Sequence, residues 1–286
     1  MARVAYVNGL YVPHGDAAVH IEDRGFQFAD GVYEVIAVEG GAVLDLDRHL
    51  DRLGRSLGEL RIPWPMSRAA MAQVIATTVG RNRVRLGIVY LQVTRGQAAR
   101  AHAFPRHAVP TLVVTARSMR LSAAHLRETG VAVITVPDIR WRRCDIKSIG
   151  LLPNVLAKQQ AVEAGAFESW FVDDSGYVTE GSSSNAWIVD KSGVLATRSL
   201  DSQVLPGITR AVLLEGCADA GIGIEQRAFT VAEALAAREA MVSSTTAFVL
   251  PVVSIDGARI GGGAPGPVFR ALHTRYREHV ESIARR

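Results

Sequence analysis

The first residue that could do chemistry is Lys147, in the stretch Asp145-Ile146-Lys147-Ser148. It stands between an extended segment, Val131 to Pro137, and a predicted helix that begins near Pro153, and such a junction can hold an amine in a cleft. A lysine held away from bulk water loses part of its preference for the charged form, so it can act as a nucleophile or a base near neutral pH. This chemistry suits a Schiff base with an aldehyde cofactor such as pyridoxal phosphate, although a lone lysine is more often an ordinary surface residue.

A second candidate is the pair Arg100 and His102, which follows a predicted strand, Ile88 to Thr94. An arginine offers a two-pronged donor and a histidine adds a third donor, so the pair could bind a carboxylate. The alternative is a solvated basic loop, and the pattern alone favours that alternative.

Three stretches could form binding sites: Gly207 to Thr209 and Met241 to Thr246 suit the oxygens of a phosphate group, and Gly181 to Asn185 offers closely spaced amides and hydroxyls. Gly207-Ile208-Thr209 opens a predicted helix, whose first backbone N–H groups have no partner within the helix. Gly181 to Asn185 and Met241 to Thr246 place serines and threonines next to predicted strands. Ordinary helix capping and a flexible linker are the alternatives for the first two of these stretches.

The predicted elements that carry these residues indicate an α/β protein. Residues Val32 to Ala37 are predicted to form a strand, in which successive side chains point to opposite faces of the sheet. Tyr33 can then point into a cleft, while Val32, Glu34 and Ile36 share the opposite face. Asp47 is expected to cap a helix with a leucine stripe. Arg48, Arg52 and Arg55 lie on an adjoining face of that helix, where one of them could reach a phosphate.

Composition excludes several other classes of protein. The 286 residues carry a net charge of +4, and basic and acidic residues are interleaved, so no nucleic-acid footprint is indicated. No apolar run is long enough to span a bilayer, and the N-terminus lacks the apolar stretch of a signal peptide. The two cysteines, Cys144 and Cys217, are too few for a disulfide framework or a zinc site. A cytoplasmic location is the expectation.

Taken in chain order, these stretches resemble the fold-type-IV family of pyridoxal-phosphate enzymes, also called class IV aminotransferases. The resemblance covers nearly the whole chain and rests on the following motifs: Asp23 to Phe28, Asp30 to Val35, His49 to Leu53, Val93 to Gly96, Arg100 to His102, Arg140 to Ser148, Val178 to Asn185, Gly207 to Arg210, and Val242 to Thr246. The Arg100-x-His102 pair is typical of the D-amino-acid branch of the family.

The resemblance implies a role for each matching residue. Lys147 matches the Schiff-base lysine, and Glu180 matches the carboxylate that pairs with the pyridine nitrogen. The other expected cofactor-binding residues are Arg52, Ser183, Ser184, Leu205, Ile208, Thr209, Ser244 and Thr245. The expected substrate-binding residues are Tyr33, Arg100 and His102, the last two contributed by the partner subunit of a homodimer.

The resemblance also implies the activity and the domains. It implies ping-pong transfer of the amino group of a D-amino acid, such as D-alanine, to a 2-oxo acid, such as 2-oxoglutarate. The expected fold is an α+β N-terminal domain at residues 1–118, a linker at 119–123 and an α/β C-terminal cofactor-binding domain at 124–286. A branched-chain L-amino-acid transaminase, an (R)-amine transaminase, an aminodeoxychorismate lyase of the same fold, and a non-catalytic cofactor carrier remain as alternatives. Ala29 stands where the family usually has glycine, so its backbone is expected to avoid a glycine-only conformation.

Overall fold

The structure is a computed structural model that describes residues 3–121 and 124–285. The chain divides into two compact units. The first unit comprises Met1–Arg120, Ile146–Gly150 and Ser282–Arg286, and the second comprises Leu121–Asp145 and Leu151–Glu281. Residues 122 and 123 of the expected linker lie outside the described residues, and the domain limits at 118 and 124 stay a prediction.

Among its described residues, the first unit contains a six-stranded sheet and three α-helices. In chain order its elements are β1 (Val4–Val7), β2 (Leu10–Pro13), α1 (Arg24–Phe28), β3 (Gly31–Glu39), β4 (Ala42–Val43), α2 (Leu46–Glu59), α3 (Arg68–Arg81), β5 (Leu86–Thr94) and β6 (Thr111–Ser118). The strands pair antiparallel in the order β2-β1-β6-β5-β3-β4. Strand β3 therefore lies inside the sheet, one strand from its edge.

The alternation along β3 decides which of its side chains are buried. Val32, Glu34 and Ile36 are all fully buried, and Val32 and Ile36 join the core cluster, whereas Tyr33 is half-buried on the other face. The predicted orientation of these side chains is therefore correct. The carboxylate of Glu34 lies on the face that also carries the core residues Val32 and Ile36. Burial of a charge is costly unless a partner of opposite charge lies beside it.

Helix α2 packs on the core through its leucine stripe, as the periodicity predicts. Leu50, Leu53 and Leu57 are buried in the core cluster. The predicted cap at Asp47 is wrong, because the helix begins at Leu46 and Asp47 lies in its first turn. The capping position belongs to Asp45, whose backbone is left-handed (φ 49°) and whose side chain makes no capping hydrogen bond.

Helix α1 ends at a residue in the left-handed backbone region. Ala29 follows the helix with φ 55° and ψ 29°, and its N–H donates to the carbonyls of Arg24 and Gly25. This region favours glycine but is open to other residues at a steric cost, so Ala29 does avoid a glycine-only conformation, as expected. Closure of the helix satisfies two carbonyls, which offsets the steric cost of a Cβ at that position.

Among its described residues, the second unit contains a nine-stranded sheet and five α-helices. In chain order its elements are α4 (Ala124–Thr129), β7 (Val131–Pro137), α5 (Leu152–Glu163), β8 (Glu168–Val172), β9 (Val178–Gly181), β10 (Asn185–Val189), β11 (Leu195–Thr197), α6 (Ile208–Asp219), β12 (Ile224–Gln226), α7 (Val231–Leu235), β13 (Glu239–Ser244), β14 (Phe248–Ile255), β15 (Ala258–Arg259) and α8 (Pro267–Ala284). The strand order is β12-β11-β10-β13-β14-β7-β8-β9, with β15 paired to β14.

This second sheet is mixed. Strand β7 pairs parallel with β8 and with β14, whereas β13 pairs antiparallel with β10 and β14. The helix α5 links β7 to β8, because parallel neighbours need a crossover connection. Helix α7 begins with a capping box, in which Thr230 and Glu233 bond to each other's backbone N–H. No helix among the described residues is long and apolar enough to cross a membrane.

Candidate active site

Lys147 belongs to a short segment, Ile146–Gly150, that joins the first unit although its neighbours in sequence belong to the second. The buried side chain of Ile146 packs in the core of the first unit, and Ser148 bridges to Val32 of β3. The Lys147 carbonyl accepts from the Tyr33 N–H at 3.0 Å, and the Lys147 N–H donates to Ser56 Oγ at 3.3 Å. The backbone of the lysine is therefore fixed on both sides.

The amine of Lys147 lies beside an aromatic ring. Its Nζ lies 4.4 Å from the centroid of the Tyr33 ring, and within residues 3–121 and 124–285 no carboxylate pairs with it. The side chain is half-buried. An amine that is fixed at its backbone and unpaired at its tip is available for covalent chemistry.

The first unit also contains a buried charge cluster that the sequence analysis missed. Arg52 donates to both oxygens of Glu34, from Nε at 2.8 Å and from Nη2 at 2.6 Å, and His49 Nδ1 lies 2.8 Å from Glu34 Oε2. Burial would raise the pKa of Glu34, but the charge and hydrogen bonds of Arg52, with those of His49, lower it to about 2. Burial lowers the pKa of His49, which outweighs the opposing effect of Glu34. Arg52, expected at the cofactor phosphate, thus has two donors committed to Glu34, and its phosphate role stays a prediction.

Arg100 and His102 lie together on the surface of the first unit. The Arg100 guanidinium stacks 4.6 Å from the centroid of the Phe28 ring, and the His102 ring lies 5.5 Å from the same ring. In the described chain no hydrogen bond or ring contact joins either residue to Tyr33. Arg100 has no carboxylate partner among these residues, so the donor edge of its guanidinium is available to a ligand.

Glu180 is buried at the end of β9 in the second unit, where several donors hold its carboxylate. Its Oε2 accepts from the Leu205 N–H at 3.1 Å and from Asn185 Nδ2 at 3.2 Å, and its Oε1 accepts from Arg140 Nη1. Arg140 is ion-paired with both Glu180 and Asp138. These donors fix the orientation of the carboxylate and stabilise its negative charge.

Arg140 is the principal residue of this unit to which the sequence analysis gave no role. Its guanidinium donates to Asp138, Glu180 and Thr179, and its face lies 4.4 Å from the centroid of the Phe171 ring. Burial would lower the pKa of Arg140, but the hydrogen bonds and charges of Asp138 and Glu180 raise it. Its position inside the Arg140 to Ser148 motif was a signal that could have identified it.

The serine-rich turn after Glu180 is organised by a second buried carboxylate, Glu168. The hydroxyls of Ser182, Ser183 and Ser184 all donate to Glu168, from Ser183 Oγ at 2.7 Å and from Ser184 Oγ at 3.1 Å, and the Ser183 N–H adds a fourth bond at 3.2 Å. A side chain at Gly181 would collide with Ser184, since a Cβ there would lie 2.3 Å from its Oγ. The cofactor roles expected of Ser183 and Ser184 stay predictions, because their hydroxyls already have this partner.

The start of helix α6 offers a set of backbone donors in the second unit. Gly207 precedes the helix, and no described side chain caps its first turn, which begins with Ile208 and the buried Thr209. A Cβ at Gly207 would lie 2.1 Å from Asn185 Oδ1, so this approach requires glycine. Uncapped N–H groups at a helix N-terminus are suited to phosphate oxygens.

The remaining predicted cofactor residues lie in two segments of the second unit. Leu205 directly precedes Pro206-Gly207 and bonds Glu180 through its N–H. Ser244 ends β13 and Thr245 follows it in the turn before β14, where both are half-buried. Ser244 Oγ accepts from the Ala247 N–H at 3.2 Å.

Comparison with known proteins identifies the class to which this geometry belongs. The profile of the class IV amino-transferases matches residues 31–255. The chain is 43% identical to a D-alanine aminotransferase of Bacillus licheniformis over 276 residues, which cover 96% of each chain. It is 39% identical to a D-alanine aminotransferase of Listeria monocytogenes, over 96% of this chain and 95% of the relative.

Solved structures agree in fold. A branched-chain aminotransferase of the archaeon Thermoproteus uzoniensis superposes with a TM-score of 0.87 at 25% identity, over 97% of this chain and 94% of that one. A second branched-chain amino acid aminotransferase, solved with pyridoxamine 5′-phosphate, superposes with a TM-score of 0.90 at 27% identity, over 100% of this chain and 95% of that one. The chain therefore belongs to the class IV aminotransferase family and is a pyridoxal 5′-phosphate-dependent transaminase. The predicted family, fold class and cofactor are confirmed.

The residues of this chain fit that cofactor. Among the described residues, the Lys147 amine has no ion-pair partner, the Glu180 carboxylate is held by Arg140, and the start of α6 is uncapped. An amine suits an aldehyde, a carboxylate suits a ring nitrogen, and a helix start suits a phosphate.

Proposed function

We propose that the protein is a transaminase that transfers the amino group of a D-amino acid, D-alanine among them, to a 2-oxo acid. The relatives named D-alanine aminotransferase, which match nearly the full chain at about 40% identity, carry this proposal. The Arg100-x-His102 pair supports it, because an arginine without a carboxylate partner in the described chain can bind the substrate carboxylate.

The proposed roles begin with Lys147 and Glu180. Pyridoxal phosphate, when bound, supplies an electron sink for the bond that breaks at the substrate Cα. With the cofactor bound, the Lys147 amine would hold its aldehyde carbon until the substrate amine displaces it. The released Lys147 amine would then take a proton from the substrate Cα and return it to the C4′ position, first as base and then as acid. Glu180 keeps a proton on the ring nitrogen, and Arg140 and Asn185 orient the Glu180 carboxylate.

The remaining proposed roles concern binding. The first N–H groups of α6, with Thr209 and Thr245, bind the phosphate, and Arg52 assists while it neutralises Glu34. Tyr33, Arg100 and His102 bind the substrate carboxylate. The side on which that carboxylate is held decides which enantiomer reacts, since only one enantiomer then presents its Cα hydrogen to Lys147.

A substrate panel tests the function. The purified holoenzyme should convert its aldehyde absorbance to that of pyridoxamine phosphate when D-alanine is added without an acceptor. L-leucine, L-valine and (R)-1-phenylethylamine should give much slower conversion, and 4-amino-4-deoxychorismate should give no pyruvate. Preference for an L-amino acid would reject the D-amino-acid assignment while leaving the cofactor chemistry intact.

We further propose a homodimer in the cytoplasm, in which Arg100 and His102 of one protomer serve the active site of the other. Both cysteines are buried and unpaired, which suits a reducing compartment. Mixing the inactive Lys147→Ala protein with the weakened Arg100→Ala protein, after dissociation and reassociation, tests the sharing. Recovery of D-alanine activity on mixing supports it, because each mixed dimer regains one complete site; no recovery contradicts it.

A further inference from the structure

The loop of residues 95–110, which joins β5 to β6 and is here called the β5–β6 loop, carries both Arg100 and His102. The structure describes every residue of this loop, and apart from an isolated bridge at Gln97 it has no strand or helix of its own. Long loops of this kind are usually functional, and their conformation must be held by side chains from elsewhere.

Arg24 is the side chain that holds the part of the loop around His102. Its Nη1 donates to the Ala101 carbonyl at 2.6 Å and to the Ala103 carbonyl at 3.4 Å, and its Nη2 donates to the His102 carbonyl at 3.3 Å. One guanidinium thus binds three consecutive carbonyls. Arg24 is only 3% exposed, so these bonds are shielded from competition with water.

A shared carboxylate fixes Arg24 in turn. Arg24 Nε donates to Asp30 Oδ2 at 2.8 Å, and Arg95 binds both oxygens of Asp30 at 2.7 and 2.9 Å. Burial would raise the pKa of Asp30, but the hydrogen bonds and charges of Arg95 and Arg24 lower it below its ordinary value. The carboxylate therefore stays ionised, and both arginines are held at the start of the loop.

The Phe28 ring gives the two candidate carboxylate-binding residues a common support. It lies at the end of helix α1, which begins at Arg24. The guanidinium of Arg24 lies 4.9 Å from the ring centroid and that of Arg100 lies 4.6 Å from it, while the His102 ring lies at 5.5 Å. Helix α1 therefore supports the loop in two ways. Arg24 holds the loop backbone, and Phe28 packs against the side chains of Arg100 and His102.

We propose that Arg24 is a positioning residue for substrate recognition, which acts by holding the β5–β6 loop so that Arg100 and His102 present their donors together. The inference rests on the proposed function, in which those two residues bind the substrate carboxylate. A loop that is already ordered binds its ligand without a further loss of conformational entropy. Loss of Arg24 should therefore weaken substrate binding more than it slows the chemical step.

Arg24→Lys is the variant to test, because lysine keeps the charge beside Asp30 but cannot bind three carbonyls with a planar fork. In the D-alanine half-reaction we expect the half-saturating concentration to rise about tenfold, while the limiting rate changes less than about twofold. The inhibition constant of propionate, which offers a carboxylate without an amine, should rise by a similar factor. Amide hydrogen exchange of residues 99–105 should become faster even in the cofactor-free protein.

Arg81→Lys is the matched control. Arg81 also stacks on an aromatic ring of the same unit, 4.0 Å from the Tyr11 ring centroid, and lies in α3 outside the loop contacts described above. Arg81→Lys should leave the half-saturating concentration of D-alanine and the inhibition constant of propionate unchanged. If Arg24→Lys does not fold, Phe28→Leu replaces it, because it removes the common support while keeping the Arg24 hydrogen bonds.

A double-mutant cycle with Arg100→Ala decides the inference. If Arg24 acts through Arg100, Arg24→Lys should raise the half-saturating concentration of D-alanine much less when Arg100 is already replaced by alanine. The effect of the double variant should then be smaller than the sum of the two single effects. Additive losses, or unchanged propionate binding in Arg24→Lys, would overturn the positioning role. A distinct result, no effect of Arg100→Ala alone on D-alanine, would instead reject the carboxylate-binding role in the proposed function.

Discussion

At the scale of single residues, the first unit depends on one carboxylate that has no access to water. Glu34 is fully buried, and Arg52 and His49 provide its hydrogen bonds. Its pKa is lowered to about 2 from an ordinary value of 4.5. A carboxyl group with a lowered folded-state pKa stabilises the fold above its unfolded pKa, and that contribution is lost as pH falls towards the folded value.

Glu34→Gln should therefore destabilise the protein at neutral pH and should matter less in acid. We expect a loss of about 3 kcal/mol at pH 7, because Arg52 keeps a buried charge without its partner. The difference from the wild type should shrink between about pH 4.5 and pH 2, measured by urea unfolding at each pH. A difference that stays constant over this range would show that the ion pair is not its source.

Glu180→Gln should separate cofactor binding from chemistry. The segment proposed to bind the phosphate, at the start of α6, does not include Glu180, so the variant should still bind pyridoxal phosphate. The D-alanine half-reaction should slow by orders of magnitude, because a neutral partner no longer keeps the ring nitrogen protonated. Rapid-mixing absorbance measures both quantities, and a half-reaction as fast as that of the wild type would contradict the role of Glu180.

The sequence was most informative about residues whose chemistry is visible in one short motif. Lys147, Glu180 and the Arg100-x-His102 pair were singled out in this way, and their roles remain predictions. Arg140, Glu168 and Glu34 were missed as site residues because their partners lie far along the chain: Arg140 reaches Glu180, and Glu168 reaches the serine turn. A charged residue among the apolar positions of a strand, as at Glu34, is the signal that could have found such a pair.

At the scale of elements, helix α1 ends with a residue that is poorly suited to its conformation. Ala29 has φ 55°, and a left-handed conformation costs an alanine roughly 1–2 kcal/mol. Sequence periodicity predicted the two faces of β3 and the leucine stripe of α2 because it reports which face is buried. It carries no information on backbone handedness at a helix end. The same limitation explains the wrong cap at Asp47, since Asp45 enters α2 with φ 49°.

Ala29→Gly should stabilise the protein. Removal of the steric cost exceeds the roughly 0.4–1 kcal/mol lost through the greater freedom of glycine in the unfolded chain, so we expect a net gain of about 0.5 kcal/mol. Ala76→Gly, at an exposed position inside helix α3, is the control and should lower stability by about 0.5–1 kcal/mol. Urea unfolding of both variants measures the change in the free energy of unfolding. If Ala29→Gly lowers stability as Ala76→Gly does, the backbone of Ala29 is not strained.

At the scale of the whole molecule, the chain contains only three lysines, Lys147, Lys158 and Lys191. Lys158 donates to the Phe167 carbonyl and lies 3.8 Å from Glu168, and Lys191 follows strand β10 in a turn. Borohydride reduction of the holoenzyme, followed by peptide mapping, should place the pyridoxyl group on Lys147. Labelling of Lys158 or Lys191 instead would overturn the assignment, and the Lys147→Ala protein is the control that should carry no stable label.

The short Ile146–Gly150 segment limits how this protein can be divided or recombined. A fragment that stops at residue 120 would lack both Lys147, the proposed Schiff-base lysine, and the Ile146 side chain that fills part of the first unit's core. A chimera that exchanges everything after residue 120 with a relative would import a foreign segment into that core. Recombination that swaps the chain at residue 120 should therefore yield unstable proteins. A stable hybrid must take residues 146–150 from the same parent as residues 1–120.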